Sequence, residues 1–289
     1  MAKTSNGWKR SAMNNIDNKR TASRIMRVTT ALLCCIPGLG LADQAAAQVK
    51  NLPGGAAPSG MEAAAPALEH YTHDLLLGDV WQRPGLSPRD RSIVTLTVLI
   101  ARDQSTELPF YLRRALDNGV KPSEISEIIT HLAFYAGWAN ATAATNDAAT
   151  VFAERGIAAD QLPAAKVRHL PLDKQSEEKR AAMVEENFGK VAPGVVKYTT
   201  DALFRDLWLR PGLAPRDRSI VTVSALVAGG QVAQISFHLN RAMDNGLTEK
   251  EAGEMLTQLA FYAGWPNVFS AMAVFKEVFA QRPPAVSAR

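Results

Sequence analysis

The sequence has few of the residues on which thiol and metal chemistry depend. Its only two cysteines, Cys34 and Cys35, lie together in an apolar segment near the N-terminus. We expect that segment to be removed on export, which leaves no disulfide, no thiol nucleophile and no thiolate metal site. The histidines lack metal-ligand spacing, so no metal site is predicted. Phosphate-binding loops, dinucleotide fingerprints and Gly-x-Ser-x-Gly elbows are missing too.

The first 47 residues are typical of a cleavable secretory signal. A basic region precedes an apolar run from Val28 to Ala42, and small residues precede an expected cut after Ala47. Pro37 and Gly40 interrupt the run, which falls short of the ~20 residues of a membrane-spanning helix. An uncleaved anchor is therefore the less favoured alternative. We expect an exported, periplasmic protein with no membrane attachment after cleavage.

The positive charge of the chain comes from this signal. The formal net charge is +4, but the signal carries seven Lys or Arg and two acidic residues, and the remainder has 25 basic and 26 acidic residues. A nearly neutral mature protein has no basic surface of the kind that binds nucleic acid. No nucleic-acid partner is predicted.

One segment occurs twice. RPGLSPRDRSIVT begins at Arg83, RPGLAPRDRSIVT begins at Arg210, and the match at an offset of 127 runs from 66–152 to 193–279. This period is too long for a solenoid, so either two related domains or two halves of one pseudo-symmetric domain are expected. The predicted organisation is a signal over 1–47, a flexible arm over 48–65, a first unit over 66–153, a connector with a helix over 154–192, a second unit over 193–281 and a tail over 282–289.

Each copy is predicted to be helical. Asn118-Gly119 indicates the left-handed end of a helix over about 107–116. Pro122 indicates the start of the next helix, where copy two has Thr248 and Glu251 at capping-box spacing. A connector helix is expected over 177–188. The fold class is therefore all-α.

The ordered motifs PRDRSIVT, E-x-x-x-Y or Q-x-x-x-H, R-A-x-D-N-G and FYAGW occur in both copies. Together they resemble the carboxymuconolactone decarboxylase family, whose all-helical fold is shared with alkylhydroperoxidase D. The resemblance implies two tandem units of that fold. The peroxidase branch uses a Cys-x-x-Cys pair on the third helix, and the matching positions 128–131 and 255–258 hold no cysteine. Thiol peroxidase activity is therefore not expected.

In the decarboxylase branch, the resemblance implies a Glu and a His four residues apart on the second helix. Here the pattern is divided, because copy one has Glu107 with Tyr111 and copy two has Gln234 with His238. The resemblance implies that His238 is an acid/base that titrates near neutral pH, with Gln234 orienting the substrate. The alternative is a solvent-facing or capping histidine. Glu107 is either the carboxylate of a composite site or a helix-start acid. Tyr111 either donates a proton or fills the space of an imidazole.

Arginines beside the first long helix of each copy are candidate anchors for a substrate carboxylate. Arg89, Arg91, Arg216 and Arg218 could each make a bidentate contact. The alternative is an Arg–Asp network that closes the turn, which their presence in both copies favours. The resemblance also places Asn267 in a pocket-lining bend, where its amide could meet a carbonyl.

The resemblance implies an enzyme without a cofactor that acts on a small carboxylated lactone or oxo-acid, and the predicted signal adds that this enzyme is exported. Two alternatives remain open: a lactone isomerase or hydrolase, and a non-catalytic periplasmic binding or assembly protein. Single-copy relatives of this fold assemble as trimers or hexamers. A homo-oligomer, specifically a trimer of tandem chains, is therefore expected.

Overall fold

A computed structural model describes residues 60–282. The predicted signal, most of the arm and the last seven residues lie outside this range. Within it, no helix is both long enough and apolar enough to cross a membrane.

The two copies form the same series of helices. Copy one contains α1 (Pro88–Ala101), α2 (Leu108–Asp117), α3 (Pro122–Tyr135) and α4 (Trp138–Glu154), and the connector contains α5 (Lys174–Phe188). Copy two contains α6 (Pro215–Ala228), α7 (Val232–Asp244), α8 (Glu249–Ala263) and α9 (Trp265–Gln281). The remaining short elements are the α-helices Met61–Ala64, Pro66–His70 and Pro193–Tyr198, the π-helices Tyr71–Leu77 and Thr199–Phe204, and the 3₁₀ turns Val80–Gln82, Ala159–Gln161 and Leu207–Leu209. The part of the chain that the structure describes has no strand, so the all-α prediction is confirmed.

Local sequence signals explain where these helices begin and end. Thr248 and Glu251 form the predicted capping box at the start of α8. Gly119 follows α2 with a φ of 86°, a conformation that glycine adopts without steric cost. The connector helix begins earlier than predicted, at Lys174, because the Asp173 side chain accepts a hydrogen bond from the Ser176 amide and caps it.

The two copies pack into each other. Helices α1 and α6 contact each other, and each also contacts the third helix of the opposite copy: α1 meets α8, and α6 meets α3. Buried residues from both copies form one hydrophobic core. The copies are therefore two halves of one packed unit, and any site between α3 and α6, or between α8 and α1, is built by both.

Candidate functional site

Crossing of the copies produces two pseudo-equivalent groups of side chains. The histidine cluster combines copy-one residues with copy-two residues and consists of His131, Tyr135, Trp208, His238 and Arg241. The tyrosine cluster has their counterparts at the offset of 127 and consists of Gln258, Tyr262, Trp81, Tyr111 and Arg114. Both imidazoles thus lie in one cluster and neither lies in the other.

His131 is fully buried at the base of the histidine cluster. Its Nε2 lies 2.8 Å from Thr222 Oγ1, and its Nδ1 lies 3.4 Å from Arg218 Nη1. A guanidinium can only donate, so Nδ1 accepts and the ring proton resides on Nε2, which donates to Thr222. Burial, followed by the charge of Arg218, holds the pKa of His131 well below its ordinary value. His131 is therefore a neutral, fixed imidazole.

Aromatic rings enclose His238. The Trp208 ring stacks on the imidazole with a centroid distance of 6.1 Å, and the Tyr135 ring meets it edge-on at 5.4 Å. Trp208 Nε1 donates to Tyr135 Oη at 2.9 Å, which fixes the two rings relative to each other. Phe237 packs edge-on at 5.0 Å and is 46% exposed. Among the rings that contact His238, Phe237 is therefore the one that is open to solvent.

The His238 imidazole is held without a polar partner. It is 9% exposed, and its Nδ1 is buried with no hydrogen-bond partner among the described residues. Such an unmet group costs on the order of 1–3 kcal/mol. Burial, together with the positive charge of Arg241, lowers the pKa of His238 to about 4. The expectation of a group that titrates near neutrality is corrected: in the free protein this imidazole is neutral, because desolvation disfavours its charged form.

By contrast, the indole and the hydroxyls of the tyrosine cluster bond to one another, although Arg114 Nε is buried without a partner, as Arg241 Nε is in the histidine cluster. Trp81 Nε1 donates to the Tyr262 hydroxyl at 2.9 Å, and Tyr262 donates to the Tyr111 hydroxyl at 2.8 Å. Gln258 Nε2 donates to Thr95 at 3.0 Å, and this contact is the counterpart of the one between His131 and Thr222 in the histidine cluster. Burial raises the pKa of both Tyr111 and Tyr262 above 10. No group in this cluster titrates near neutral pH.

The four predicted anchor arginines are all paired with carboxylates. Arg218 is fully buried and donates to Glu127 at 2.6 Å, and Arg91 donates to Glu254 at 3.1 Å. At the junction of the copies, Arg89 donates to Asp217 at 2.8 Å and Arg216 to Asp90 at 3.0 Å. Arg216 also pairs with Glu251 at 2.7 Å. This arrangement matches the Arg–Asp alternative and extends it across the two copies. Each of these guanidiniums therefore already has a carboxylate partner within the protein.

The remaining predicted residues fall in different places. Glu107 immediately precedes α2 and its charge acts on Tyr111, while burial raises its own pKa. Glu107 therefore lies beside the tyrosine cluster, and among the described residues no hydrogen bond or ion pair joins it to His238. Gln234 is exposed at the start of α7. Asn267 Nδ2 donates to the Ala228 and Ala263 carbonyls, so its amide joins helix ends.

Sequence reasoning did not identify His131 and Arg241 of the histidine cluster, or Glu127, which pairs with Arg218 beside it. Glu127 and His131 lie on α3 among apolar residues typical of a core helix, and Arg241 is part of the repeated R-A-x-D-N-G motif. A signal for Glu127 was present, since both Glu127 and its counterpart Glu254 recur at the same offset as the buried arginines. A buried arginine requires such a carboxylate. No group of three potential metal ligands occurs within residues 60–282.

The depressed pKa of His238 predicts a specific loss of stability in acid. Because its folded-state pKa of about 4 lies below the ordinary 6.5, the unfolded chain takes up the proton first as the pH falls. Between pH 6.5 and 4, His238 should therefore lower the free energy of unfolding by roughly 3 kcal/mol, and His131 should act in the same direction.

The measurement is urea unfolding across this range for the protein and for His238→Gln. Glutamine does not titrate, so the variant should show a shallower dependence on pH. Identical slopes for the two proteins would contradict the assigned environment of His238, which faces His131, Tyr135 and Arg241.

Comparison with known proteins shows which family and which characterised proteins this chain is similar to. The family model described as "Carboxymuconolactone decarboxylase family" matches residues 66–149 and, separately, 193–277. Over 85 residues the chain is 42% identical to 4-carboxymuconolactone decarboxylase of Acinetobacter baylyi, which covers 29% of this chain and 63% of that protein. Over 60 residues it is 45% identical to nitrosuccinic acid decarboxylase of Metarhizium robertsii, which covers 21% of this chain and 42% of that protein.

The chain thus spans less than two thirds of either curated relative. A solved structure described as a gamma-carboxymuconolactone decarboxylase subunit, from Burkholderia xenovorans, aligns over 79% of this chain and 94% of that one. The TM-score is 0.49 and the identity 18%.

Proposed function

Because the family matches cover both copies and more than half of the chain, the protein belongs to the carboxymuconolactone decarboxylase family, and we propose that it decarboxylates a small carboxylated lactone or oxo-acid without a cofactor. Both curated relatives are named as decarboxylases, which supports this class of reaction. The observation that carries the proposal is the buried, unpartnered imidazole of His238 in the histidine cluster.

Decarboxylation needs a proton donor at the reacting carbon. The bond to the carboxylate carbon breaks, carbon dioxide leaves, and the electron pair stays on the neighbouring carbon, where an adjacent carbonyl delocalises it. Protonation of that carbon completes the reaction. His238 is proposed to deliver this proton, since general acid catalysis by a positioned imidazole is common and effective.

The low pKa of His238 couples this proton to substrate binding. The free imidazole is neutral at pH 7, since its pKa is about 4. A carboxylate bound beside the ring favours the imidazolium and raises that pKa, so a proton is taken up from water as the substrate binds. The proton then passes to carbon after carbon dioxide departs.

The tyrosine cluster is not proposed as a second acid/base site. Tyr111 stands where His238 stands in the other cluster, and its hydroxyl already accepts a hydrogen bond from Tyr262. Burial raises the pKa of this phenol further above neutrality, so it is a poor proton source. Each chain is proposed to contain one working site.

We expect the purified protein to release carbon dioxide from at least one compound in a panel of carboxylated lactones and 3-oxo acids, with a chelator present, whereas 2-oxo acids, whose loss of carbon dioxide leaves no delocalised electron pair, should not react. The reason is that the histidine cluster supplies the proton that the reaction requires. Consumption of a lactone without carbon dioxide would instead indicate a lactone isomerase or hydrolase. Binding without turnover would indicate a non-catalytic binding protein, and either result would contradict the proposed reaction.

Export and assembly are also proposed. The signal-like residues 1–47 support a periplasmic location, which fractionation of the cells and N-terminal sequencing of the mature chain would test. The trimer of tandem chains stays a prediction from the family resemblance, and light scattering of the purified protein measures it directly.

A further inference from the structure

Three arginines lie near one carboxylate of α5, beside the histidine cluster. Glu177 of α5 accepts hydrogen bonds from Arg180 Nε at 2.7 Å and from Arg205 Nε at 3.3 Å. Arg241 of α7 lies against the same Phe204 ring as Arg180 but makes no hydrogen bond or ion pair to Glu177. Two guanidiniums thus pair with the one carboxylate and a third lies nearby, so the local charge is positive. Such an excess of positive charge favours the binding of an anion.

Two of these arginines have unused donors. Arg180 is 8% exposed and its Nη1 is buried without a partner, as is Nε of Arg241. The Arg241 side chain makes no hydrogen bond to another described residue, and the nearby Asp244 is already paired with Arg282 at 2.8 Å. Buried donors without acceptors are costly. A bound carboxylate would satisfy them.

Aromatic rings hold both guanidiniums in place. The guanidinium carbon of Arg180 lies 4.2 Å from the centre of the Phe204 ring, and that of Arg241 lies 5.4 Å from the same ring. Arg241 also lies 4.2 Å from the centre of the Trp208 ring. A guanidinium stacked on a ring is pre-organised, so little side-chain freedom is lost when it binds an anion.

We propose that Arg241 and Arg180 form the binding site for a carboxylate anion beside His238. Arg241 and His238 are three residues apart on α7 and therefore share one face of the helix. A carboxylate held there lies next to the imidazole that delivers the proton. The assignment rests on the proposed function in taking this anion to be a carboxylate of the substrate.

The tyrosine cluster provides a matched comparison. Arg114 lies 4.1 Å from the centre of the Trp81 ring, as Arg241 does from Trp208. Nε of Arg114 is likewise buried without a partner. The difference is that Leu77 occupies the position of Phe204, so this cluster offers no ring there for a second cation. The proposal therefore predicts one carboxylate site per chain.

The test is calorimetric titration of the full protein with succinate as the carboxylate probe. We expect saturable binding of one succinate per chain, weakened about tenfold or more by Arg241→Met, because charge-assisted hydrogen bonds are lost. Arg114→Met, the matched control, should bind like the unaltered protein. Arg241 has no carboxylate partner, so its removal leaves no unpaired acid and the variant should keep its circular dichroism spectrum. Arg180→Gln is the second variant and should also weaken binding.

Three results would each overturn the site. The unaltered protein could show no saturable binding, Arg241→Met could bind succinate unchanged, or Arg114→Met could weaken binding as much as Arg241→Met does. Failure of the proposed function gives a different result: succinate binds as predicted, yet no compound releases carbon dioxide. If turnover occurs, Arg241→Met should raise KM for the carboxylated substrate more than it lowers kcat, and an unchanged KM would also overturn the assignment.

Discussion

Replacing His238 by glutamine is expected to lower the rate of decarboxylation by about a hundredfold or more. Glutamine keeps a polar side chain of similar reach but cannot carry a proton, and loss of a general acid typically costs 10² to 10⁴ in rate. The loss should appear in kcat, because His238 is proposed to act after the substrate is bound. Steady-state measurement of carbon dioxide release gives both kcat and KM.

The internal repeat offers a control at the equivalent position. Tyr111 stands at the counterpart of His238, and Tyr111→Phe removes its hydroxyl from the tyrosine cluster without adding or removing a group that titrates near neutrality. We expect Tyr111→Phe to leave the rate essentially unchanged. A comparable loss in both variants would indicate that both clusters take part. An unimpaired His238→Gln would remove His238 from the mechanism.

The sequence predicted the helices well because the signals for helix ends are local. Pro122 opens α3 as expected, and Thr248 and Glu251 cap α8 through contacts only three residues apart. The β-branched run in α1 is compatible with a buried strand as well as a helix when only the sequence is considered. Its side chains are buried almost all round as a helix, because α1 contacts α6 as well as helices of its own copy.

The candidate site was harder to predict because it depends on contacts between distant parts of the chain. His238 was found from its motif, but its neighbours His131 and Tyr135 come from the other copy. A single sequence does not state that α3 of one copy packs on α6 of the other. For the same reason, repetition of Arg91 and Arg218 was compatible with a substrate anchor until the structure placed Glu127 and Glu254 against them.

Asymmetry between the clusters is the feature that sequence and structure establish together. The offset of 127 identifies the counterparts, and the structure shows that His131 and His238 both contact the Trp208 ring. In the other half, Tyr111 stacks on Trp81 and Gln258 donates to Thr95. Each copy therefore carries one histidine and one replacement, yet crossing of the copies places both histidines together. Two histidines from different copies thus form one cluster, whereas the Glu-His pattern of the second helix stays divided, with Glu107 beside the tyrosine cluster.

Replacing Glu127 by glutamine is expected to lower the free energy of unfolding substantially. Glu127 is fully buried and accepts from Arg218 Nη2 at 2.6 Å and from Arg210 Nη2 at 2.7 Å, and these arginines hold its pKa below the ordinary value despite burial. Glutamine would leave the fully buried Arg218 without a counter-charge. Breaking a buried pair in this way typically costs about 3–5 kcal/mol, which for a protein of this size corresponds to a fall in Tm of roughly 10 °C.

Glu254→Gln is the matched comparison, because Glu254 is the counterpart of Glu127 in the other half. Its buried partner Arg91 matches Arg218, but the Glu254 side chain is 14% exposed and its second partner, Arg83, is 41% exposed, so water compensates part of the lost charge. We expect a smaller loss for Glu254→Gln, about 1–3 kcal/mol, by urea unfolding at pH 7. Equal losses would mean that the difference in burial does not set the cost. A negligible loss for Glu127→Gln would mean that Arg218 finds another partner, and because Arg218 also contacts His131, the geometry of the histidine cluster would then have to change with it.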